Sequence, residues 1–447
     1  MSRHADPIRL QLSRGPLASR QLFEKIGISQ PTGSRALKAL GSEVVRFGSG
    51  RAIHYALRDE ARGLPDIAIY RVDVEGQIRR LGMLIPVRPE GFVMRQENGA
   101  AHHSDGLPWW LLDMRPQGYL GRAYAVRYGA ELGLPGSLSD WTDTHALRAL
   151  LVHGHDVVGN LLLGEMARER FLSAPPPTPV PMAEKAGHYV QLAAEAARGD
   201  TPGSSAGGEQ PKFTTFAETP DGPRHVIVKF TEPVNGLVSE RWSDLLLAEH
   251  LALETLREAG VAAARTRVID HGQQRFLEVE RFDRVGAAGR RAIISLGAFD
   301  AEFVGSGRDR WPIVVRRLSA SGEIRPEAAD EADLLWAFGA LIGNTDMHLY
   351  NLSFVSDHGR PYGIAPAYDM SPMCFAPRSG GGMADTIQKA TIHSDVSNET
   401  WRRAGQLARD FLARIQRQSV FSRRFDPCLH SLTQHIEAAS VQIAKLG

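Results

Sequence analysis

The spacing of apolar residues near the start of the chain predicts two short helices. Segment 19–27, SRQLFEKIG, has apolar residues three or four positions apart and ends in a glycine that can terminate a helix. A second helix is predicted through SRALKAL at 34–40, with either Ser29 or Thr32 as its N-cap. Two short helices joined by a glycine-containing turn are typical of a helix-turn-helix.

A β-hairpin is predicted directly after these helices. Apolar residues precede Gly48-Ser49-Gly50 in segment 44–47 and alternate with polar ones in segment 53–57, so the glycines supply a three-residue turn. Helix, turn, helix and hairpin together predict a winged helix-turn-helix domain over residues 1–62.

The following part of the chain changes from strand-like to helical patterning and then becomes rich in proline. Apolar residues alternate from residue 66 to about residue 95, and a helical region is expected from about 142 to 172. Segment 173–181, SAPPPTPVP, is expected to run extended as a semi-rigid linker. We therefore expect a second region over 63–180, β-rich first and then helical.

Strands precede helices in the third region, residues 181–447. Strand-like HVIVKF at 225–230 is followed by a helical pattern at 244–260 and by strand-like FLEVERF at 276–282. A mainly helical part is expected from about residue 331 onward. This α+β order is compatible with a two-lobed kinase and with many other folds.

Composition adds one local asymmetry to this picture. The chain has 447 residues, 43% of them hydrophobic, and a net charge of only +1, which predicts two or three globular domains. Its first 58 residues, however, hold ten Lys or Arg against three acidic residues. Because there are only two cysteines, no signal-peptide pattern and no apolar run long enough for a membrane, we expect a cytoplasmic protein with reduced thiols.

The basic N-terminal domain has side chains suited to DNA. A recognition helix enters the major groove, and basic residues of a wing meet phosphates or a minor groove. A protein-interaction module with a solvated basic face is the alternative; fold pattern, charge and turn chemistry together favour DNA. A homodimer would match two-fold DNA sites. The residues expected to contact DNA are Gln30, Thr32, Ser34, Arg35, Lys38, Arg46 and Arg51.

Candidate chemistry is concentrated in residues 341–370. Asp346 is followed five residues later by Asn351, and Asp369 lies further along in the same segment. Phosphoryl transfer uses one carboxylate to orient a hydroxyl nucleophile, and an amide oxygen with a second carboxylate to hold Mg²⁺. The Asp-to-Asn spacing equals that of protein-kinase catalytic loops. Helix capping is the alternative role, and the presence of His348 and a second Asp in one short window weakens it.

Two further elements have features suited to phosphate. The glycines of GSSAGGEQPKF at 203–213 let backbone N–H groups approach an anion, and Lys212 adds charge, although a flexible surface loop is the alternative. Lys229 lies in the apolar strand VIVKF, where burial is costly without an anionic partner. A nucleotide phosphate and Glu249 are the two candidate partners, and a side chain that snorkels to solvent is the remaining interpretation.

Five motifs occur in the order found in HipA-type serine/threonine kinases, which are bacterial type II toxin–antitoxin kinases. Residues 66–447 resemble this family. The motifs are GSSAGGEQPK, VIVKF, VERFDR (279–284), GNTDMHLYN (343–351) and IAPAYDM (364–370). The resemblance implies an atypical two-lobed, α+β protein-kinase-like fold and an activity that depends on ATP and Mg²⁺.

The resemblance also implies a role for individual residues. Asp346 would be the catalytic base, Asn351 and Asp369 would coordinate Mg²⁺, and Lys229 would contact the α- and β-phosphates. The other expected ATP-binding residues are Gly207, Gly208, Glu209, Gln210, Pro211 and Lys212 in the glycine-rich loop, Glu280, Arg281 and Phe282 in the hinge, and His348 and Tyr368.

Regulation and substrate class follow from the same resemblance. Ser205, or its neighbour Ser204, would be autophosphorylated, which would eject the glycine-rich loop and switch the kinase off. An aminoacyl-tRNA synthetase is the family precedent for a substrate, with growth arrest or persistence as the result. The fused N-terminal domain would take over part of the DNA binding that a separate antitoxin usually performs. Tyr350 departs from the family, which often has Lys at this position.

Two other functions fit some of these features. A transcription regulator with a degenerate kinase-fold sensor would keep the DNA-binding domain, but the complete set of catalytic residues argues against it. A DNA-acting nuclease toxin would use Mg²⁺ and carboxylates, but it would leave the hinge-like VERFDR unexplained.

Overall fold

Three helices and a three-stranded antiparallel sheet form the N-terminal domain. The computed structural model describes residues 3–49, 52–198, 210–378 and 382–446. The sheet has the order β1-β3-β2. The elements of this domain are α1 (Ala5–Leu12), β1 (Leu17–Ala18), α2 (Ser19–Ile26), α3 (Gln30–Leu40), β2 (Val44–Phe47) and β3 (His54–Leu57).

The two predicted helices and the hairpin are confirmed, but six residues, 48–53, separate the hairpin strands instead of the predicted three. Gly27 ends α2 in the left-handed conformation, with φ 73°, which a residue without Cβ adopts readily. Ser29 rather than Thr32 occupies the N-cap position of α3. Gly33 lies against the ring of Phe23, where a Cβ atom would come within 2.2 Å of a ring carbon. Helix α1 was not predicted.

A five-stranded antiparallel sheet with flanking helices forms the middle region, residues 64–173. Its strand order is β7-β6-β5-β4-β8. The predicted helical stretch is interrupted by strand β8, because Leu161–Leu163 completes the sheet beside β4. The elements are β4 (Ile67–Val72), β5 (Ile78–Val87), β6 (Gly91–Gln96), β7 (Ala101–Ser104), α4 (Gly118–Tyr128), α5 (Asp143–His153), β8 (Leu161–Leu163) and α6 (Gly164–Ser173).

The N-terminal domain packs directly on this sheet. Val45 and Ala56 of its hairpin share one buried cluster with Ile85, Val87 and Val93. The ring of Phe47 stacks on His103, with 5.3 Å between ring centroids. Removing the N-terminal domain would therefore expose apolar surface on the middle region.

The next part of the chain, the sheet lobe, is built on a four-stranded antiparallel sheet of order β11-β12-β10-β9. The end of the proline-rich segment joins this sheet, because Val180 bridges to Ala217 at its edge. The elements are α7 (Lys185–Ala197), β9 (Lys212–Thr219), β10 (Gly222–Phe230), α8 (Leu237–Glu258), β11 (Thr266–His271) and β12 (Gln274–Glu280).

Helices dominate the last part of the chain, the helical lobe, in which Trp311, Phe338, Trp401 and Phe411 are fully buried. The prediction of a helical C-terminal part is confirmed for three long helices but omitted two short strands. The elements are β13 (Arg284–Val285), β14 (Gly289–Arg290), β15 (Ala292–Ser295), α9 (Leu296–Phe299), α10 (Trp311–Ala320), α11 (Pro326–Leu341), β16 (Ser353–Ser356), β17 (Gly363–Ile364), α12 (Asn398–Gln416) and α13 (Asp426–Ile443).

The two lobes together form the α+β architecture expected from the sequence. None of the helices among the described residues combines the length and the apolar character needed to cross a bilayer.

Candidate nucleotide-binding and catalytic site

A cavity of about 460 Å³ lies between the sheet lobe and the helical lobe. We call it the inter-lobe cavity. Lys212 and Lys229 line it from the sheet, Phe282 from the connection between the lobes, and Asn351 and Asp369 from the helical lobe. Its volume is in the range of small-molecule sites. The structure thus brings together residues that the sequence separates by more than a hundred positions.

Lys229 is buried in the middle of β10 and is held by a carboxylate of α8. Its Nζ donates to Glu249 Oε1 at 2.6 Å and to Oε2 at 2.8 Å. It also contacts the carboxylate of Asp369. Burial alone would lower the pKa of Lys229, but the two carboxylates outweigh that effect and raise it. The lysine therefore stays charged, and Glu249 is confirmed as its partner.

The two carboxylates around Lys229 have pKa values shifted in opposite directions. Burial raises the pKa of Glu249, against the effect of Lys229. Burial would also raise that of Asp369, but Lys229 and Lys212 hold the pKa of Asp369 below its ordinary value. Lys212 lies directly opposite Lys229 in strand β9. At this end of the cavity the ionised carboxylate of Asp369 is therefore stabilised by the two lysines, Lys212 and Lys229.

The backbone at Asp369 is strained. Its φ is 52°, and among the described residues it is the one non-glycine residue with positive φ. Such a conformation costs on the order of 1–3 kcal/mol and is concentrated at functional sites. The strain therefore marks Asp369 independently of its sequence motif.

Asn344 connects the segment of Asp346 to that of Asp369, a role that sequence reasoning missed. Its Oδ1 accepts a hydrogen bond from the Asp346 backbone N–H at 3.0 Å, and its Nδ2 donates to the Asp369 carbonyl at 3.2 Å. Asn344 is buried. An amide two residues before Asp346, after an apolar segment, was the available signal, since a buried amide requires partners.

A hydrogen bond links Asn351 to Asp346, which lies five residues before it in the chain. Asn351 Nδ2 donates to the Asp346 carbonyl at 2.7 Å, so the amide oxygen of Asn351 remains available. The Asp346 side chain is 51% exposed and does not line the inter-lobe cavity, whereas Asn351 does. His348 Nε2 is 3.8 Å from Asp346 Oδ1, and His348 lines the cavity. The base candidate therefore lies at the mouth of the cavity, accessible to a protein hydroxyl.

Asn351 and Asp369 fit the donor set that Mg²⁺ prefers. One offers an amide oxygen and the other a carboxylate, and both line the same cavity. Among the described residues no group of three or more His, Cys, Asp or Glu side chains could hold a metal. A Mg²⁺ ion at this place would complete its coordination with phosphate oxygens and water.

The predicted hinge lines the cavity, but part of its backbone is already engaged. The N–H groups of Glu280 and Arg281 donate to the carbonyls of Arg265 and His225, each at 2.9 Å. The side chain of Arg281 forms a buried ion pair with Asp283. The backbone N–H groups of Glu280 and Arg281 are therefore not available to a ligand, while Phe282 lines the cavity.

A pair of aromatic rings borders the same part of the cavity. The rings of Phe282 and Tyr368 lie 5.8 Å apart between centroids. The Tyr368 hydroxyl donates to the Tyr350 carbonyl at 2.9 Å. These rings supply the apolar surface that a purine requires.

Part of the predicted glycine-rich loop can be located. Gln210 and Pro211 line a small neighbouring cavity of about 110 Å³ together with Lys229, and Lys212 is buried. Ser204, Ser205, Gly207, Gly208 and Glu209 lie outside the described residues.

The middle region contributes residues that no sequence motif indicated. Asp113, Gln117, Gly118 and Val158 all line the inter-lobe cavity. Asp113 accepts hydrogen bonds from the Ser295 N–H at 2.7 Å and the Ser295 hydroxyl at 2.6 Å. Burial raises the pKa of the Asp113 carboxyl, although both hydrogen bonds act in the opposite direction. These residues precede all five motifs in the chain, so their presence in the cavity follows from packing alone.

The residues expected to contact DNA lie mainly on one exposed face. Gln30, Ser34, Arg35 and Lys38 are exposed on α3, Thr32 there is half-buried, Arg46 is exposed on β2, and Arg51 lies outside the described residues.

Three acidic residues of the N-terminal domain are paired with arginines other than these. Asp6 and Glu43 both pair with Arg9, and Glu24 pairs with Arg20. Arg35, Lys38 and Arg46 form no ion pair with any described residue, so their charge remains on the surface.

Two protein families match this chain, one over the middle region and one over the sheet and helical lobes. Residues 204–438 match the family described as the HipA-like C-terminal domain, and residues 64–172 match the YjjJ-like toxin, middle domain. Toxin YjjJ of Escherichia coli K12 is 39% identical over 438 residues, which are 98% of each chain. The serine/threonine-protein kinase toxin HipA of Shewanella oneidensis is 28% identical over 193 residues, 38% of this chain and 43% of that protein.

A solved structure shows the same fold. HipA of Shewanella oneidensis, in its complex with HipB and operator DNA, superposes with a TM-score of 0.57 at 17% identity, over 84% of this chain and 97% of that chain. The similarity to YjjJ extends over nearly the whole chain, and the HipA-like domain covers just over half of it. The chain therefore belongs to the HipA-like toxin family.

Proposed function

We propose that the chain is an ATP- and Mg²⁺-dependent serine/threonine protein kinase. The observation that carries this proposal is the Lys229–Glu249 ion pair, with Asp369 in contact with the same ammonium group. In active protein kinases a strand lysine must pair with a helix glutamate while an aspartate holds the metal. In this chain Lys229 and Asp369 line one cavity, and Glu249 is hydrogen-bonded to Lys229.

Six residues in or beside the inter-lobe cavity have roles in the proposal. Asp346 accepts the proton of the attacking hydroxyl at the mouth of the cavity. Lys229 orients the phosphates, and Asn351 and Asp369 hold Mg²⁺, which neutralises phosphate charge when bound. The purine lies against Phe282 and Tyr368.

The substrate is a serine or threonine hydroxyl, in keeping with the HipA relative, which is a serine/threonine-protein kinase toxin. An aminoacyl-tRNA synthetase is the target class we propose, with growth arrest or persistence as the outcome. Ser205, with Ser204 as the alternative, is the proposed autophosphorylation site.

Phosphate transfer from labelled ATP tests the proposal. The purified chain is incubated with ATP and Mg²⁺ beside Asp346→Ala, Asp369→Ala, Ser205→Ala and Ser204→Ala variants, with Asp410→Ala, an exposed aspartate of α12, as the control. We expect label in the wild type and the control, and none in the two catalytic variants. Label retained by Asp346→Ala would refute its role as base. No ATP binding by the wild type would favour a degenerate sensor, and degradation of added plasmid would favour a nuclease.

DNA binding by the N-terminal domain is the second proposed activity. It is supported by the unpaired basic charge of Arg35, Lys38 and Arg46, and by the neighbouring HipA structure, which contains HipB and operator DNA. In this chain α3 would enter the major groove, and a homodimer would bind a two-fold site. Point substitutions on α3 are the appropriate test, because deleting residues 1–62 would expose the apolar cluster shared with the middle region.

A further inference from the structure

A second cavity, of about 520 Å³, lies between the sheet of the middle region and the helical lobe. We call it the middle-region cavity. Asp113, Val158 and Ile293 line both this cavity and the inter-lobe cavity, so they form the wall between the two. None of the roles assigned above uses this space, and its volume is suited to a small molecule.

Two arginines face each other across strands in this cavity. Arg71 of β4 and Arg79 of β5 are direct register partners in the antiparallel sheet, and both line the cavity. Like charges directly opposite each other destabilise a sheet. Neither arginine forms an ion pair within the part of the chain that the structure describes. The nearby Glu97 pairs with Arg80 instead, at 3.2 Å.

The guanidinium group of Arg71 is also incompletely hydrogen-bonded. Its Nε is buried and has no hydrogen-bond partner among the described residues. Burial lowers the pKa of Arg71, and the charge of Arg79 acts in the same direction. A buried donor without a partner costs about 1–3 kcal/mol. An oxyanion placed between the two arginines would relieve both the repulsion and the missing hydrogen bond.

The remaining lining is suited to a flat ring. Trp109 and Trp110 are half-buried and line the cavity, and Tyr362 lines it from the helical lobe. Gln96 and Asn160 add amide groups to the same lining. Aromatic side chains favour stacked or edge contacts with planar rings, and amides orient polar substituents.

We propose that the middle-region cavity binds a small anion that carries a planar aromatic ring. Arg71 and Arg79 hold its phosphate or carboxylate group, because guanidinium groups bind such oxyanions in a bidentate manner. Trp110 contacts its ring. A nucleoside monophosphate and an aromatic carboxylate both have this chemistry.

Calorimetric titration of the full-length chain tests the proposal with three probes: guanosine monophosphate, indole-3-carboxylate and inorganic phosphate. Each titration is performed with and without a saturating non-hydrolysable ATP analogue, which occupies the inter-lobe cavity. We expect a ring-bearing probe to bind under both conditions, and Arg71→Gln and Arg79→Gln to weaken it by about tenfold or more. Trp110→Ala should reduce the preference for that probe over phosphate.

Arg95→Gln is the matched control. Arg95 is exposed on β6 and does not line the cavity, whereas its neighbours Met94 and Gln96 do. Binding should be unchanged in this variant. Thermal unfolding without probe provides the second measurement: Arg71→Gln should keep or raise Tm, because it removes a like-charge contact.

Several results would overturn the proposal. The proposal fails if neither ring-bearing probe binds, or if Arg71→Gln and Arg79→Gln leave the binding intact. It also fails if inorganic phosphate binds as tightly as the ring-bearing probes, or if Arg71→Gln lowers Tm more than Arg95→Gln does. If guanosine monophosphate binds more tightly than indole-3-carboxylate, the ligand class is a nucleoside phosphate. If indole-3-carboxylate binds more tightly, the ligand class is an aromatic carboxylate. Failure of the ATP analogue to bind would count against the kinase proposal only, because the titrations without it remain informative.

Discussion

The carboxylate of Glu249 accepts two hydrogen bonds from the ammonium group of Lys229, at 2.6 and 2.8 Å. Both side chains are buried, and they connect strand β10 to helix α8. Breaking a buried pair leaves an uncompensated charge and typically costs several kcal/mol. The pair therefore fixes α8 against the sheet.

Lys229→Met should destabilise the chain in a pH-dependent manner. The substitution leaves Glu249 buried without its cation, at a cost of about 3–5 kcal/mol near neutral pH. Burial already raises the pKa of Glu249, so the native state takes up a proton that the unfolded state has released. The cost should therefore be smaller at about pH 5 and larger at about pH 8.

Urea unfolding at the two pH values measures this effect. The double variant Lys229→Met/Glu249→Gln is the control, because it removes the buried carboxylate of Glu249; it should regain part of the lost stability but not phosphate transfer. An equal loss of stability at both pH values in the single variant would contradict the prediction.

Asp333 should make the chain less stable as pH rises. Burial raises the pKa of this α11 carboxyl to about 6, against an ordinary value near 4. Between these values the native state holds a proton that the unfolded state has lost, so stability falls by about 1–2 kcal/mol after allowance for solvent screening. Asp333→Asn should remove this part of the slope in urea unfolding between about pH 4.5 and about pH 7. Asp410→Asn, at an exposed carboxylate of α12, should keep the wild-type slope. A wild-type slope in Asp333→Asn would exclude this carboxyl as its source.

The ring of Tyr350, rather than its hydroxyl, should matter for phosphate transfer. The ring covers Gly297, where a Cβ atom would come within 2.7 Å of it, and it lines the inter-lobe cavity. The hydroxyl forms no hydrogen bond with a described residue. We expect kcat/KM to fall about tenfold in Tyr350→Ala and in Gly297→Ala, which displaces the ring, and to change little in Tyr350→Phe. Initial rates with labelled ATP measure this, and a large loss in Tyr350→Phe would assign the role to the hydroxyl.

Arg35 and Lys38 should each contribute one phosphate contact to DNA. Arg35→Ala and Lys38→Ala should each lower the slope of log K against log salt by about 0.9. Fluorescence anisotropy with a labelled duplex at several salt concentrations gives the slope. Arg403→Ala, at an exposed arginine of α12, should leave it unchanged. Unchanged slopes in both α3 variants would remove this helix from the interface.

Local pattern was sufficient for the elements that depend on local chemistry. The spacing of apolar residues and the position of Gly27 predicted α2, and short strand-like segments predicted β10 and β12, because these patterns act over a few residues. Strand β8 was missed, since Leu161–Leu163 is a strand only by virtue of its pairing with β4. The five motifs also indicated Asp346, Asn351 and Asp369 as candidate site residues, because a motif is recognised from residue types and their order along the chain.

Tertiary structure alone decided which residues meet. The sequence offered Glu249 as one candidate partner of Lys229, and packing of α8 on the sheet brings the two side chains together. No local signal placed Asp113 in the inter-lobe cavity or Arg71 opposite Arg79. A contact between distant residues depends on how elements pack and in which register strands pair. The sequence therefore determined the chemical groups and their local elements, and the fold determined the distances between them.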